Sequence, residues 1–347
     1  MILNVSGRTD IVAFYSKWFM NRYNEGYVDV RNPFYPKLVS RIYFDDVDLL
    51  VFCTKNPIPI LNDLDKINKP IIFHVTLTPY GKDIEPNVIP KGKIIEAIKK
   101  LSVIVGTDNV YVRYDPILIN DRYDVNFHIK SFESLCTKLG GYIKHIIVSF
   151  VDDYKNVRNN MSVLKLHKND ESIYKNIGKN FSRIARENGM TVQTCYEKND
   201  LSEYGFISNP CVSKELALSL TGKKFPKWKA RNCGCVEMVD IGVYNTCKHF
   251  CKYCYANYDE KKVIENVKNH DDNSSLLIGY LENDDEILNS YTLLEDGNTY
   301  KINDISSIEK GKLNINLING LLVKQMVSNE ETANQIKNNM LENIPEE

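Results

Sequence analysis

The sequence predicts an α/β fold, more narrowly a full or partial (β/α) barrel with a small C-terminal β-rich appendage. Three observations carry this. Apolar strands alternate with helical stretches six times before residue 200, a rhythm that builds a parallel sheet covered on both faces. A seventh strand enters a cysteine-rich loop near residue 247. No G-x-G-x-x-G follows any strand, so a doubly wound dinucleotide fold loses its main support.

The elements run in order. Ile2-Leu-Asn-Val5 is a short strand ending in Ser6-Gly-Arg-Thr-Asp10. Val12 to Tyr23 reads as a helix with Phe14, Trp18 and Phe19 on one face. Asp48 to Phe52 is a buried strand, and Pro59 to Ile67 a short helix. Ile71 to Leu77 is a strand, and Ile94, Ile95, Ile98 and Leu101 mark a helix over Lys91 to Val105. Asn109 to Asp115 is a strand stopped by Pro116; a helix follows from Asn126 to Leu139. His145 to Phe150 is the next strand, then a helix from Ile173 to Asn188 ending at Gly189. Met190 to Cys195 is the sixth strand. Residues 291–347 differ: Leu293-Leu-Glu-Asp-Gly297 suggests a turn, Asn319-Gly320 between alternating runs signals a hairpin, and Glu330 to Leu341 reads as a polar helix. The expected division is therefore 1–290, with a cysteine-rich region over 195–258, and 291–347.

Composition narrows the function classes. Apolar residues at 43% and charged residues at 26% suit a globular chain with a real core. A net charge of −1 gives no global case for nucleic acid or membrane. No apolar run reaches the ~20 residues of a membrane span. The N-terminus lacks a secretory pattern, so the nine cysteines point to a cytoplasmic protein that uses thiols for metal or catalysis.

The chemical centre is Cys247-Lys-His-Phe-Cys251-Lys-Tyr-Cys254, a C-x-x-x-C-x-x-C loop. Three thiolates on one loop can hold three irons of a cubane, thiolate being the standard ligand of such clusters. Two other readings stay open. Zinc usually takes four ligands, and His249 inside the loop can be one; a disulfide with a spare thiol is the third. Cys195, Cys211, Cys233 and Cys235 form a second set able to hold another iron–sulfur cluster or zinc; the competing reading is a strand-end thiol and small buried hydrophobes.

The cysteine loop, with Tyr253 before its last cysteine, resembles the signature of the radical S-adenosylmethionine superfamily. The resemblance implies a [4Fe–4S] cluster whose open iron chelates S-adenosylmethionine, with Tyr253 beside the adenine. It implies reductive cleavage to a 5′-deoxyadenosyl radical acting on an unknown substrate, and an electron donor such as ferredoxin or flavodoxin. The superfamily carries its loop after the first strand; here it comes last, as in a circularly permuted barrel. Arg8-Thr-Asp10, Arg31-Asn-Pro-Phe34, Thr54-Lys-Asn-Pro57, Arg113-Tyr-Asp-Pro116, Ser149-Phe-Val-Asp152, Cys233-Gly-Cys235 and Asp240-Ile-Gly-Val-Tyr together resemble an uncharacterised prokaryotic domain-of-unknown-function family with a C-terminal cluster motif. In that family an aromatic residue usually stands where Cys53 sits, so Cys53 reads as a packing residue.

Strand ends carry catalysis in barrels. Arg8, Asp10, Lys55, Arg113 and Asp115 are therefore the catalytic candidates, with Arg113, Thr76 and Ser149 also placed for the cofactor. The bland alternative is that Arg113–Asp115-type neighbours alternate faces and cap adjacent helices. His74, mid-strand, reads as a hydrogen-bonded core histidine. Lys223 to Arg231, with Phe225 and Trp228 interleaved, gives weak support for nucleic-acid contact; an exposed linker is the competing reading. The functional alternatives are a zinc-binding nucleic-acid-associated module and an iron–sulfur electron-transfer or sensor protein.

Overall fold

The computed structural model describes residues 1–194, 197, 199–228 and 233–289, with the backbone of 292–295 and 298–301. The chain divides into two compact units, 1–290 and 291–347.

In chain order the first unit holds β1 (Ile2–Asn4), α1 (Ile11–Phe14), α2 (Ser16–Glu25), β2 (Tyr27–Arg31), β3 (Leu38–Tyr43), β4 (Leu49–Thr54) and β5 (Ile71–Thr76). It continues with α3 (Lys91–Val105), β6 (Val110–Ile117), α4 (Val125–Leu139), β7 (His145–Phe150), α5 (Lys155–Asn159), α6 (Met161–Leu164) and α7 (Glu171–Glu187). β8 (Thr191–Thr194), β9 (Ile207–Ser208), α8 (Lys214–Thr221), β10 (Val239–Asp240), α9 (Glu260–Lys268) and β11 (Glu286–Asn289) complete it. In the second unit β12 (Thr292–Glu295) pairs antiparallel with β13 (Asn298–Lys301). The expected hairpin around Asn319-Gly320 and the helix from Glu330 lie outside the described residues.

Eight strands form one sheet in the order β10-β1-β4-β5-β6-β7-β8-β9. Every neighbouring pair is parallel. From β1 onward the order follows the chain; only β10 is out of sequence, and it lies beside β1 with Asn4 opposite Asp240. β9 and β10 are the end strands of the sheet.

Alternate residues feed two cores, because successive strand side chains point to opposite faces. On one face Leu3, Leu50, Phe52, Phe73, Val112 and Val148 pack against the apolar sides of the helices. On the other, Ile2, Leu49, Val51, Ile72 and Ile147 meet Val212, Ala217, Phe225 and Val236. This second core fills the lower half of that face and leaves its C-terminal end to polar side chains.

Four expectations change. The helix from Val12 splits at Tyr15, whose hydroxyl reaches the Thr246 carbonyl at 2.6 Å. The Pro59 to Ile67 segment forms two 3-10 turns, Ile58–Ile60 and Leu64–Lys66, since its prolines lack the donors a longer helix needs. β6 runs past Pro116 to Ile117; its ladder shifts register between Tyr114 and Ile117, where the missing N–H costs no bond. β2, β3 and β11 make a small separate sheet that was not anticipated. Asp29 and Arg41 sit opposite each other in it, with Arg41 Nε donating at 2.8 Å. No helix among the described residues is long and apolar enough to cross a membrane.

Candidate functional site

The site lies over the C-terminal ends of β1, β4, β5 and β6. After β1 the chain turns at Gly7, where a Cβ would stand 1.6 Å from Asp240 Oδ2, so only glycine fits. Arg8 Nε donates to Asp240 Oδ1 at 3.2 Å and Asn4 Nδ2 donates to Asp240 Oδ2 at 3.2 Å. Arg8 therefore seals the β1–β10 junction. Asp10 caps α1 through the Ala13 N–H at 2.9 Å. It also accepts the Lys55 N–H at 2.7 Å and faces His249 Nε2 at 3.0 Å. One carboxylate thus joins β1, the end of β4 and the cysteine loop.

Glu85, in the loop after β5, is a second hub. Its carboxylate is buried and receives Lys55 Nζ at 2.7 Å and Thr78 Oγ1 at 2.6 Å, together with Lys91 Nζ and the Tyr253 hydroxyl. Burial alone would raise its pKa; Lys55 and Lys91 outweigh that and hold it at about 2. Burial alone would pull Lys55 down, but Glu85 and the Cys251 sulfur hold it above the ordinary lysine value. Its ammonium stands 5.5 Å from the centre of the Tyr253 ring.

The cysteine loop is braced from several elements. Asn156 Nδ2 donates to the Cys254 carbonyl at 2.9 Å and Asn160 Nδ2 to the Lys252 carbonyl at 3.0 Å. The Asn257 side chain both accepts from the Cys247 N–H and donates to its carbonyl. Phe250 takes a left-handed φ of 56°, which turns the chain between the second and first cysteines. Cys247 and Cys251 are buried and Cys254 is half-buried. Burial pushes all three thiols up; Asp10 and the other two sulfurs add to this at Cys247, while Lys55 works against it at Cys251 and Cys254. The Ala256 N–H reaches Cys254 Sγ at 3.3 Å.

Soft thiols are the ligands an iron–sulfur cluster takes, and the three lie within electrostatic reach of one another, with the half-buried Lys55 and Lys91 paired to Glu85 beside them. Among the described residues, no group of three or more His, Cys, Asp or Glu side chains is arranged to hold a metal ion.

The second polar cluster lies on the face shared with Val212 and Val236. Arg113 Nε donates to Asp115 Oδ2 at 2.9 Å, and its Nη1 approaches Cys211 Sγ at 3.3 Å. Ser149 donates to the other oxygen of Asp115. Cys53 and His74 are opposite each other on β4 and β5. Burial raises the Cys53 thiol to about 11, against the pull of Arg113. Burial, with Arg113, lowers His74 to about 4, and its Nε2 has no hydrogen-bond partner. Thr76 ends β5 opposite Arg113. The expected core histidine is thus buried but only partly satisfied.

Of the second cysteine set, Cys195 lies outside the described residues. The segments that carry the other three run side by side: the Val236 N–H bonds the Val212 carbonyl at 3.0 Å, and a Cβ at Gly234 would stand 2.6 Å from Pro210, the residue before Cys211. Cys211 and Cys233 are half-buried and Cys235 is buried. Phe225 is a member of the second core and so is not presented for stacking on a nucleobase, and Lys223 pairs with Asp48 at 2.6 Å.

Sequence reasoning missed Glu85, Lys91 and Asn257. Nothing local marks them. A lone Glu four residues after Gly81 looks like any solvated loop residue, and its role appears only when Lys55, Lys91 and Tyr253 meet it in space.

Fold and site together define an α/β protein with a parallel sheet and a thiol-rich site at its C-terminal edge. The chain belongs to the family described as domain of unknown function DUF1848, whose model matches residues 2–256. No curated protein matches it.

Proposed function

We propose that the chain is a radical S-adenosylmethionine-type iron–sulfur enzyme on a partial, circularly permuted (β/α) barrel, working in the cytoplasm. The supporting observation is the loop itself: Cys247 and Cys251, buried, and Cys254, half-buried, stand near Lys55 at the C-terminal edge of the sheet. These three thiolates would hold a [4Fe–4S] cluster. When bound, the cluster and S-adenosylmethionine supply reductive cleavage to a 5′-deoxyadenosyl radical that takes hydrogen from the substrate.

The chain's own residues do the rest. Lys55 sets a positive charge near Cys251 and Cys254, which favours the extra negative charge of a reduced site. Glu85 holds Lys55 and Tyr253 in position. Phe14, 4.5 Å from the His249 ring, and Tyr80, 6.0 Å from the Tyr253 ring, shield the loop from water. The Arg113, Asp115 and Ser149 cluster, with Thr76, lines the neighbouring face on which a substrate or the cofactor would be read. A ferredoxin or flavodoxin suits the role of electron donor.

The test is direct. Anaerobically reconstituted protein, reduced in the presence of S-adenosylmethionine, should be brown and should release 5′-deoxyadenosine. A protein that binds no iron and releases none sinks the proposal.

One observation favours a second reading, a zinc site of the three thiols and His249. His249 Nδ1 is buried with no partner, while Nε2 is held by Asp10, the carboxylate–histidine arrangement common behind zinc. Zinc without iron in protein isolated anaerobically, with zinc lost on His249→Ala, would select it.

A further inference from the structure

A groove of about 360 Å³ opens between α3 and α4, away from the thiols. Its floor is carbon-rich, from Leu77, Ile95, Phe127 and Leu135. Its walls carry Lys91, Lys130 and Lys138, and no Asp or Glu lines it. Lys91 is neutralised by Glu85. Lys130 and Lys138 have no carboxylate partner among the described residues. They stand on one face of α4 with Ser134 between them, because residues four apart stack on a helix.

An apolar trough flanked by two uncompensated cations suits a ligand that is apolar in body and anionic at one end. Burying the body returns roughly 25 cal/mol for each Å² of apolar surface. An acid group over Ser134 would have an ammonium one turn away on either side, and charge-assisted bonds are about twice as strong as neutral ones. The volume is that of a small-ligand site, which begins at about 300 Å³. A polyanion would find too few donors, and a neutral lipid would leave the lysines unused.

We propose that this groove binds an acyl or aryl carboxylate, its chain on Leu77 and Phe127 and its acid group between Lys130 and Lys138. The inner wall is shared with the thiol site: Thr78 and Lys91 line the groove and both bond Glu85, which holds Tyr253. Two side chains, Thr78 or Lys91 and then Glu85, would therefore separate the occupant from Tyr253 of the cysteine loop. The inference does not depend on which metal that loop takes.

Calorimetric titration of the full chain with decanoate, and with 1-decanol as the uncharged counterpart, tests it. Decanoate should bind at least tenfold more tightly than 1-decanol. The K130E/K138E variant should lose tenfold or more in decanoate affinity and keep its 1-decanol affinity. Ser134→Trp, which fills the groove from an exposed position, should block both probes. All three positions are exposed, so circular dichroism should report an unchanged fold. No heat from decanoate at millimolar concentration, equal affinity for the two probes, or unchanged decanoate binding in K130E/K138E would each overturn the assignment.

Discussion

Replacing Glu85 by Gln should cost about 3 kcal/mol of stability at pH 7, and the cost should vanish as the pH falls. Glu85 is 1% exposed and carries two ammoniums, a threonine hydroxyl and a tyrosine hydroxyl. Its pKa falls from 4.5 to about 2. At 1.36 kcal/mol per pKa unit that is about 3 kcal/mol. The same order follows from the ~3–5 kcal/mol lost when a buried ion pair is left with one partner. A depressed carboxylate pKa contributes fully above the unfolded value of 4.5 and is lost as pH drops toward 2. Urea unfolding of wild type and Glu85→Gln should therefore differ by about 3 kcal/mol at pH 7, and by progressively less below about 4.5. Removing the stranded charge as well, in Glu85→Gln/Lys55→Met, should recover a substantial part of the loss, because the two residues are in contact. Equal stability of wild type and Glu85→Gln at pH 7, or a gap that widens on acidification, would refute the electrostatic account.

Cys251→Ala leaves two loop thiolates, and iron content of the reconstituted protein should fall by about four atoms per chain; retention of all iron in the Cys247/Cys251/Cys254 triple variant would place the metal elsewhere, with Cys211, Cys233 and Cys235 the next thiols to remove. Tyr253→Phe deletes one donor to the Glu85 carboxylate and should lower stability by about 1.5–3 kcal/mol, the range for bonds to charged groups, while iron content is kept. Gly7→Ala forces Asp240 off its Arg8 and Asn4 partners and should cost about 1–3 kcal/mol in a thermal melt. The same change in an Asp240→Ala background should cost much less, and an equal cost would show that the strain lies elsewhere.

Sequence patterning resolves what is local and periodic. Leu49-Leu-Val-Phe52 and Ile146-Ile-Val148 are unbroken apolar runs because their strands are buried on both faces. The helix Lys91–Val105 is legible because its apolar residues recur every turn. β2 and β3 were hidden because Asp29, Arg31 and Arg41 interrupt any alternation; each finds its counter-charge only after the strands pair. Arg113 and Asp115, two apart on β6, share a face and pair locally, whereas the bond from Ser149 to Asp115 depends on the register of β6 against β7. Phe225 looked like part of a basic, aromatic surface stretch. It is an anchor of the second core, which a composition count cannot distinguish.

The placement of the thiols follows the same division. Their spacing is a property of eight consecutive residues and is visible at once. Their attachment is not. Three polar ties fix the cysteine region to the sheet: Arg8 to Asp240, Asp10 to His249 and Glu85 to Tyr253. They join residues 232, 239 and 168 positions apart. Such closures carry the full chain-entropy cost of ordering the intervening residues, so they repay it only once the strands between have paired. A strand inserted last in sequence but beside β1 in space makes this workable. β10 needs only Leu3 and Asn4 as neighbours, and these are already ordered by β4. The thiols are then presented at the sheet edge from strand ends formed before them. Two ties leave the turn after β1 and the third the loop after β5, so breaking one should loosen part of the loop and leave the parallel sheet intact.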